Sequence, residues 1–167
     1  MIPEKVVDTI KIISSKLKEN GIDYAIIGSG NCALQGMDLT PRDLDLVVRL
    51  DDLKKMPEIF KEYSPSEVEK LFPDSKDPAW TAKLEKHPAY NVYFYIEGVE
   101  VQILGEEDDG DYVSKLLAKK IILVSLKGNN LPCFTLETEA EVYAQTFRPE
   151  KAKRIRDFID LQSHSQD

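Results

Sequence analysis

The sequence predicts a single domain of the α/β (α+β) class that spans residues 1–167. Three observations predict it: an amphipathic helical pattern at the N-terminus, short apolar runs with strand-like alternation in the middle, and a helical C-terminal portion over about 136–161. The chain has 167 residues and is 42% apolar, which is enough to bury one core. It contains no internal repeat and no linker that would divide it.

Helix and strand alternate at the start of the chain. Residues 3–20 are predicted as a helix, and residues 23–27 as a short buried strand. "GSG" then forms a turn, and residues 31–35 form a short helix that ends at Gly36. The apolar residues that recur at spacings of three and four in the first helix are Val6, Ile10, Ile13 and Leu17.

The next strand carries two aspartates on one face. Side chains alternate along a strand, so Asp43, Asp45 and Val47 point away from a second, apolar set. Asp51 and Asp52 can cap a following helix that runs to about Tyr63. The apolar set consists of Leu44, Leu46 and Val48.

The middle of the chain is predicted as a hairpin between less regular segments. "SPSEVEKLF" is predicted as a short helix and "FPDSKDPAW" as a loop. Residues 91–96 and 99–104 form a β-hairpin across Glu97-Gly98. "GEEDDGD" is predicted as a solvated turn, followed by a helix over 112–117.

Two strands and two helices complete the domain. Residues 121–126 form a strand, and "LPCF" returns as an edge strand, where Pro132 is tolerable. Thr135 caps a helix over 136–146, and Pro149 opens the last helix, which runs to about Leu161.

Composition and charge exclude several classes of function. The net charge of −8 disfavours nonspecific binding to nucleic acid. No apolar run is long enough to span a bilayer, and the N-terminus does not resemble a signal peptide, so we expect a cytoplasmic protein without a membrane partner. With two cysteines and two histidines, the chain offers no disulfide framework, zinc pattern or His-based catalytic triad.

One constellation of residues carries chemistry. The Cα atoms of Asp43 and Asp45 are expected roughly 6.5 Å apart on one strand face. Such a carboxylate pair suits Mg²⁺, which takes one or two carboxylates together with substrate phosphates. Gly28 and Ser29, between a strand and a helix, offer backbone N–H groups and a hydroxyl to a phosphate. Each part alone is commonly structural, but together they can position a nucleoside triphosphate for in-line attack.

Three segments resemble the DNA polymerase beta-like nucleotidyltransferase superfamily, especially its small prokaryotic members. They are "IIGSGNCALQG", "TPRDLDLVV" and "GVEVQILGE". These members include the minimal nucleotidyltransferases, the aminoglycoside- and lincosamide-type enzymes and the AbiEii-like proteins. The tail "YAQTFRPEKAKRIRDFIDL" is similar to their closing helix. The resemblance implies a short mixed β-sheet flanked by helices.

The resemblance also implies roles for individual residues. Gly28 and Ser29 match the triphosphate-binding turn, and Asp43 and Asp45 match the pair that binds Mg²⁺ (or Mn²⁺), with an NTP such as ATP as substrate. The third acidic position of the family falls on Gln102, which cannot act as a general base and is a weaker metal ligand. Glu100, two residues away on the same face, is the candidate to replace it.

Two further sets of residues have open interpretations. Arg148, Lys151 and Arg154 can share one helix face, where they meet a triphosphate or an acidic partner, or remain solvated. Lys151 is the residue of this set that we assign to nucleotide binding. Trp80 and Tyr90 can stack on a base or pack beneath a loop.

Three functions remain open from the sequence. The first is a Mg²⁺-dependent nucleotidyltransferase that acts on a protein or small-molecule hydroxyl. In that reading the resemblance also implies a possible antitoxin role, with a HEPN-type toxin as the protein acceptor. The second is a degenerate domain of the same fold that binds nucleotide or a partner without turnover. The third is an α/β partner-binding domain in which the two aspartates only cap a turn.

Overall fold

In a computed structural model, the protein is described at residues 1–71, 85, 88–106, 121–145 and 148–165. The predicted "FPDSKDPAW" loop, most of the acidic turn and the helix over 112–117 lie outside these residues. The described part contains six α-helices and a 3₁₀ turn at Lys61–Tyr63. The helices are α1 (Glu4–Glu19), α2 (Gly28–Leu34), α3 (Leu50–Leu53), α4 (Met56–Ile59), α5 (Leu136–Gln145) and α6 (Pro149–His164).

The described strands form one mixed sheet, as the resemblance implies. Its order is β3-β4-β5-β2-β1-β7-β6. The β2–β5 and β1–β7 pairs are parallel, and the other neighbours are antiparallel. The strands are β1 (Tyr24–Ile27), β2 (Asp43–Arg49), β3 (Glu69–Lys70), β4 (Ala89–Ile96), β5 (Val99–Glu106), β6 (Ile121–Leu126) and β7 (Asn129–Phe134).

The main core lies between α1 and one face of the sheet. The four periodic residues of α1 are at most 1% exposed, which confirms the predicted stripe. They join the apolar face of β2, which is fully buried, and residues from α3 and α4. The stripe is Val6, Ile10, Ile13 and Leu17, and the β2 face is Leu44, Leu46 and Val48.

The opposite face of the sheet is only partly covered. α2, α5 and α6 pack together around Cys32, Ala140 and Ile155. The half of this face formed by β4 and β5 leaves Tyr93 40% and Tyr95 55% exposed. The aspartates of β2 therefore lie where a covered region meets an open one.

Two predicted helices are wrong in extent or kind. The segment after Asp51 breaks into α3, α4 and the 3₁₀ turn. Pro57 lies in the first turn of α4, and without an N–H it cannot continue the hydrogen bonding of α3. The predicted helix in "SPSEVEKLF" is absent from its described residues, because Ser66 and β3 bond to the backbone of β4 instead.

Two other boundaries also differ from the predictions. α2 begins at Gly28 rather than residue 31, because the positive φ of Gly28 (73°) turns the chain without extra loop residues. β7 is an interior strand, not an edge, since β6 lies outside it. Its register with β1 centres on Cys133 and Ile26, so the missing N–H of Pro132 interrupts little pairing there.

The helices of the described segments carry no candidate for crossing a membrane, since none is both long and apolar enough. The cytoplasmic location expected from the sequence stays a prediction.

Candidate functional site

The site begins at the junction of β1 and α2. Gly28 is buried and adopts a left-handed φ of 73°. A Cβ atom added to Gly28 would lie 2.9 Å from Oδ2 of Asp45. The turn predicted to bind phosphate and the second aspartate of β2 are therefore in contact, and there is no room for a side chain larger than that of glycine.

Sheet register places four polar side chains on one face. Asp43 lies opposite Glu100 and Asp45 lies opposite Gln102 in the parallel β2–β5 pair. Asp45 also lies opposite Ile27, the last residue of β1. Directly opposed residues of a sheet share a face, so the acidic pair, Glu100 and Gln102 are neighbours. Asp43 and Glu100 are exposed, and Asp45 and Gln102 are half-buried.

Burial and like charges act together on Asp45. The pKa of its carboxyl is raised to about 7, chiefly by burial and then by the negative charges of Asp43 and Glu100. The positive charges of Arg148 and Lys151 act in the opposite direction. A cation placed beside Asp45 would favour its ionised form.

Two exposed cations at the start of α6 are close enough to act on the aspartates. Arg148 immediately precedes α6, and Lys151 lies in its first turn. Nζ of Lys151 lies 5.3 Å from the centroid of the Tyr143 ring, a cation–π distance. Arg154, the third member of the predicted set, instead donates to the carbonyl of Asp38 at 3.0 Å. Arg148 and Lys151 thus border the site, while Arg154 ties α6 to the segment before β2.

Glu100 is the acidic neighbour of Gln102, the residue on which the resemblance places a third acidic position. Glu100 accepts a hydrogen bond from the Tyr95 hydroxyl at 3.1 Å, which holds its carboxylate at the open edge. Within the described residues, no group of three or more His, Cys, Asp or Glu side chains could hold a metal ion by itself.

The family model for aminoglycoside-2''-adenylyltransferase matches residues 9–162, which is most of the chain. The chain belongs to this family. This confirms the nucleotidyltransferase superfamily that the sequence resembles. The alternative in which the two aspartates only cap a turn finds no support, since both lie within β2. No match was found among curated proteins.

Solved structures support the same fold. A provisionally assigned nucleotidyltransferase from Thermotoga maritima is 25% identical, with a TM-score of 0.67 and 96% coverage of both chains. ANT(2'')-Ia in complex with adenylyl-2''-tobramycin has a TM-score of 0.58 at 10% identity, covering 94% of this chain and 91% of its own. A solution structure of the antibiotic-resistance factor ANT(2'')-Ia has a TM-score of 0.54 at 12% identity, with coverage of 98% and 95%. The two ANT(2'')-Ia structures show similarity of fold.

Sequence reasoning missed one residue that contacts the candidate site, Glu139. Its side chain is 2% exposed, and its Oε1 accepts a 3.0 Å hydrogen bond from the Gly28 N–H. The expectation of a free amide at Gly28 is therefore wrong. Ser29 and Gly30 are the next amides in the first turn of α2, where a helix has no acceptor of its own. The available signal was that Glu139 follows Leu136 by three residues on the buried stripe of α5.

The aromatic residues proposed to stack on a base are not both described. Tyr90 is half-buried and packs against the main core. The loop beneath which it was predicted to pack lies outside the described residues. Trp80 lies outside the described residues. Tyr93 and Tyr95, on the open face beside Gln102 and Glu100, are the aromatic side chains nearest the site by register.

Proposed function

We propose that the chain is a nucleotidyltransferase that takes a nucleoside monophosphate from an NTP, with ATP as donor, and transfers it to a hydroxyl group. The observation that carries this proposal is the contact between Asp45 and Gly28. It joins a candidate metal carboxylate to a candidate phosphate-binding turn on adjacent strands. Membership of the adenylyltransferase family supports the same chemistry.

The donor set fits Mg²⁺ or Mn²⁺. Asp43 and Asp45 would hold the ion, because Mg²⁺ commonly takes one or two carboxylates and completes its shell with phosphate oxygens and water. When bound, the ion would neutralise charge on the reacting phosphate. Ser29, at the start of α2, would donate to a phosphate oxygen, and Lys151 would approach the triphosphate from α6.

Glu100 is the candidate general base. In the proposed reaction, it takes the proton of the acceptor hydroxyl, whose oxygen attacks the α-phosphorus. A new phosphorus–oxygen bond forms to the acceptor, the bond to the bridging oxygen breaks, and pyrophosphate leaves. Gln102 orients groups near Asp45 through its amide but cannot accept the proton.

We propose a small molecule as the acceptor. The name of the matched family refers to an aminoglycoside, a polyhydroxyl compound with amino groups. The open half of the sheet offers Glu100 and exposed tyrosines, which suit a cationic ring compound. A protein acceptor, including a HEPN-type toxin, stays a prediction that no contact in the described residues favours.

The direct test combines binding and transfer. We expect ATP at 100 times its dissociation constant to add about 2.7 kcal/mol to the free energy of unfolding when Mg²⁺ is present. We also expect label from α-³²P-ATP to appear on members of an aminoglycoside panel, and to disappear in Asp43→Ala. Asp51→Ala, at an exposed position on α3, is the matched control. Absence of both the Mg²⁺-dependent stabilisation and the transfer would refute the proposed function.

A second candidate function is favoured by Gln102. An amide lies opposite Asp45, where the superfamily pattern implies a carboxylate. A protein with this change would bind ATP and Mg²⁺ without transferring the nucleotide. Such a binding module would show the stabilisation but no labelled product.

Replacement of Glu100 by Gln separates the two candidates. If Glu100 is the base, Glu100→Gln should lower the transfer rate by about 10²–10⁴-fold. The affinity for ATP should change little, because the metal pair is intact. Glu69→Gln, on the exposed edge strand β3, is the control. Transfer by Glu100→Gln at the wild-type rate would remove Glu100 from this role.

A further inference from the structure

Two strand–helix junctions lie side by side behind the candidate site. β1 leads directly into α2, and β7 leads through Thr135 into α5. The two strands are parallel neighbours, so both helices start at the same edge of the sheet. Buried polar side chains connect the junctions.

The connections converge on two acceptors, Glu139 and the Phe134 carbonyl. Glu139 accepts from the Gly28 N–H at 3.0 Å and from Nδ2 of Asn31 at 2.7 Å. Asn31 also donates to the Phe134 carbonyl at 3.0 Å, and Gln35 donates to the same carbonyl at 2.7 Å. Gln35 further donates to Oδ1 of Asn31 at 2.6 Å.

Each side chain of the network has a fixed role as hydrogen-bond donor or acceptor. Asn31 is fully buried and uses its amide as donor toward Glu139 and as acceptor toward Gln35. Glu139 needs two acceptor atoms, one for a backbone amide and one for Asn31. A glutamine in its place has one acceptor and one donor, so one of the two donors would lose its partner.

The buried Glu139 carboxylate costs free energy of folding that an apolar contact at the same place would not. Burying a charged or polar group is unfavourable unless it is fully bonded, and packed apolar residues would close the two junctions as well. Glu139 instead accepts a hydrogen bond from the N–H of Gly28, which has a left-handed φ and contacts Asp45. The bond orients the Ile27–Gly28 peptide, which immediately precedes the amides of Ser29 and Gly30.

We propose that Glu139 is a positioning residue for the nucleotide site, acting through Gly28. It holds the start of α2 in one geometry relative to Asp45 and links it to α5. α5 in turn contacts the cation at Lys151 through Tyr143. The inference rests on the proposed function for its consequence, but the anchoring itself can be measured without any nucleotide.

The binding test compares two variants of the same helical turn. Glu139→Gln should weaken the affinity for ATP with Mg²⁺ by tenfold or more in calorimetry. Thr138→Ala is the control: Thr138 is 1% exposed and bonds to the Thr135 hydroxyl at 2.8 Å, away from Gly28. At equal loss of thermal stability, a weakened affinity in Glu139→Gln alone supports positioning. Equal affinities in both variants and the wild type would overturn it.

Amide hydrogen exchange tests the anchoring by Glu139 independently of nucleotide binding. Amide hydrogen exchange over residues 27–36 should become at least tenfold faster in Glu139→Gln without nucleotide, and stay at the wild-type rate in Thr138→Ala. If Glu139→Gln does not fold, Gln35→Ala, a half-buried change at the rim of the network, should show a smaller loss in both readouts. If the wild type binds no ATP, the proposed function fails, and exchange still decides the anchoring. Unchanged exchange would refute the inference.

Discussion

Replacement of Gly28 by alanine is expected to abolish binding of ATP with Mg²⁺ and to lower the free energy of unfolding by about 2–4 kcal/mol. Two costs combine. A non-glycine residue is strained at a φ of 73°. The new Cβ would also lie 2.9 Å from Oδ2 of Asp45, so the carboxylate or the turn must move.

The loss of binding would come from this displacement. Asp45 is held in place by its pairing with Ile27 and Gln102 in neighbouring strands, so its backbone cannot retreat. The side chain would rotate away from the turn, and the metal pair would no longer face the phosphate site. Urea denaturation gives the stability change, and calorimetry gives the ATP affinity.

Gly105→Ala provides the matched control. Its Cβ would lie 2.9 Å from Cδ2 and 3.0 Å from Cβ of Leu53 in the core, on the other face of the sheet from the aspartates. Overpacking there should cost about 1–3 kcal/mol but leave ATP affinity unchanged in the folded protein. Wild-type ATP affinity in Gly28→Ala would contradict the proposed phosphate-binding turn.

Local pattern was sufficient for the elements whose structure depends on local chemistry. The spacing of apolar residues in α1 and their alternation in β2 predicted which side chains are buried, because both periods follow from backbone geometry. The β4–β5 hairpin was predicted by its Glu97-Gly98 turn, where both residues have positive φ. These elements place Asp43 and Asp45 on one face.

Contacts between residues far apart in the sequence could not be predicted from local patterns. Gly28 and Glu139 lie 111 positions apart, and no period along the chain indicates that they meet. β7 was predicted as an edge because Pro132 breaks a ladder, yet its neighbour in space was decided by packing of the whole sheet. Likewise, the residues around Ser66 follow β4 because pairing with a strand outweighs a weak helical preference.

Replacement of Asp45 by asparagine is expected to stabilise the protein above pH 7 while it removes one ligand of the proposed metal site. The folded protein raises the pKa of Asp45 to about 7, from 3.8, so folding favours the protonated carboxyl. The stability that this group contributes is present below pH 4 and is lost as the pH rises toward 7. Asparagine has a similar shape and stays neutral, so it avoids this loss.

The expected gain at pH 8 without divalent ions is about 1–3 kcal/mol, which is less than the full shift implies because the side chain is half-buried. Well below pH 3.8, where the carboxyl is protonated in both the folded and the unfolded state, the difference should be smallest. The pKa of Glu139 is raised to about 7, chiefly by burial and in part by the charge of Asp45. Removal of that charge should therefore lower the pKa of Glu139. Urea denaturation at several pH values in the presence of a chelator measures the difference.

Addition of Mg²⁺ and ATP at pH 8 should reverse the order. The wild type gains stability by binding, whereas Asp45→Asn lacks one of the two carboxylates and gains little. Asp51→Asn removes one negative charge from an exposed position on α3 and controls for net charge. If Asp45→Asn is less stable than the wild type at pH 8 without metal, Asp45 is an ordinary structural carboxylate. A gain that Mg²⁺ and ATP reverse instead indicates a side chain kept at a cost to stability because the bound ion needs it.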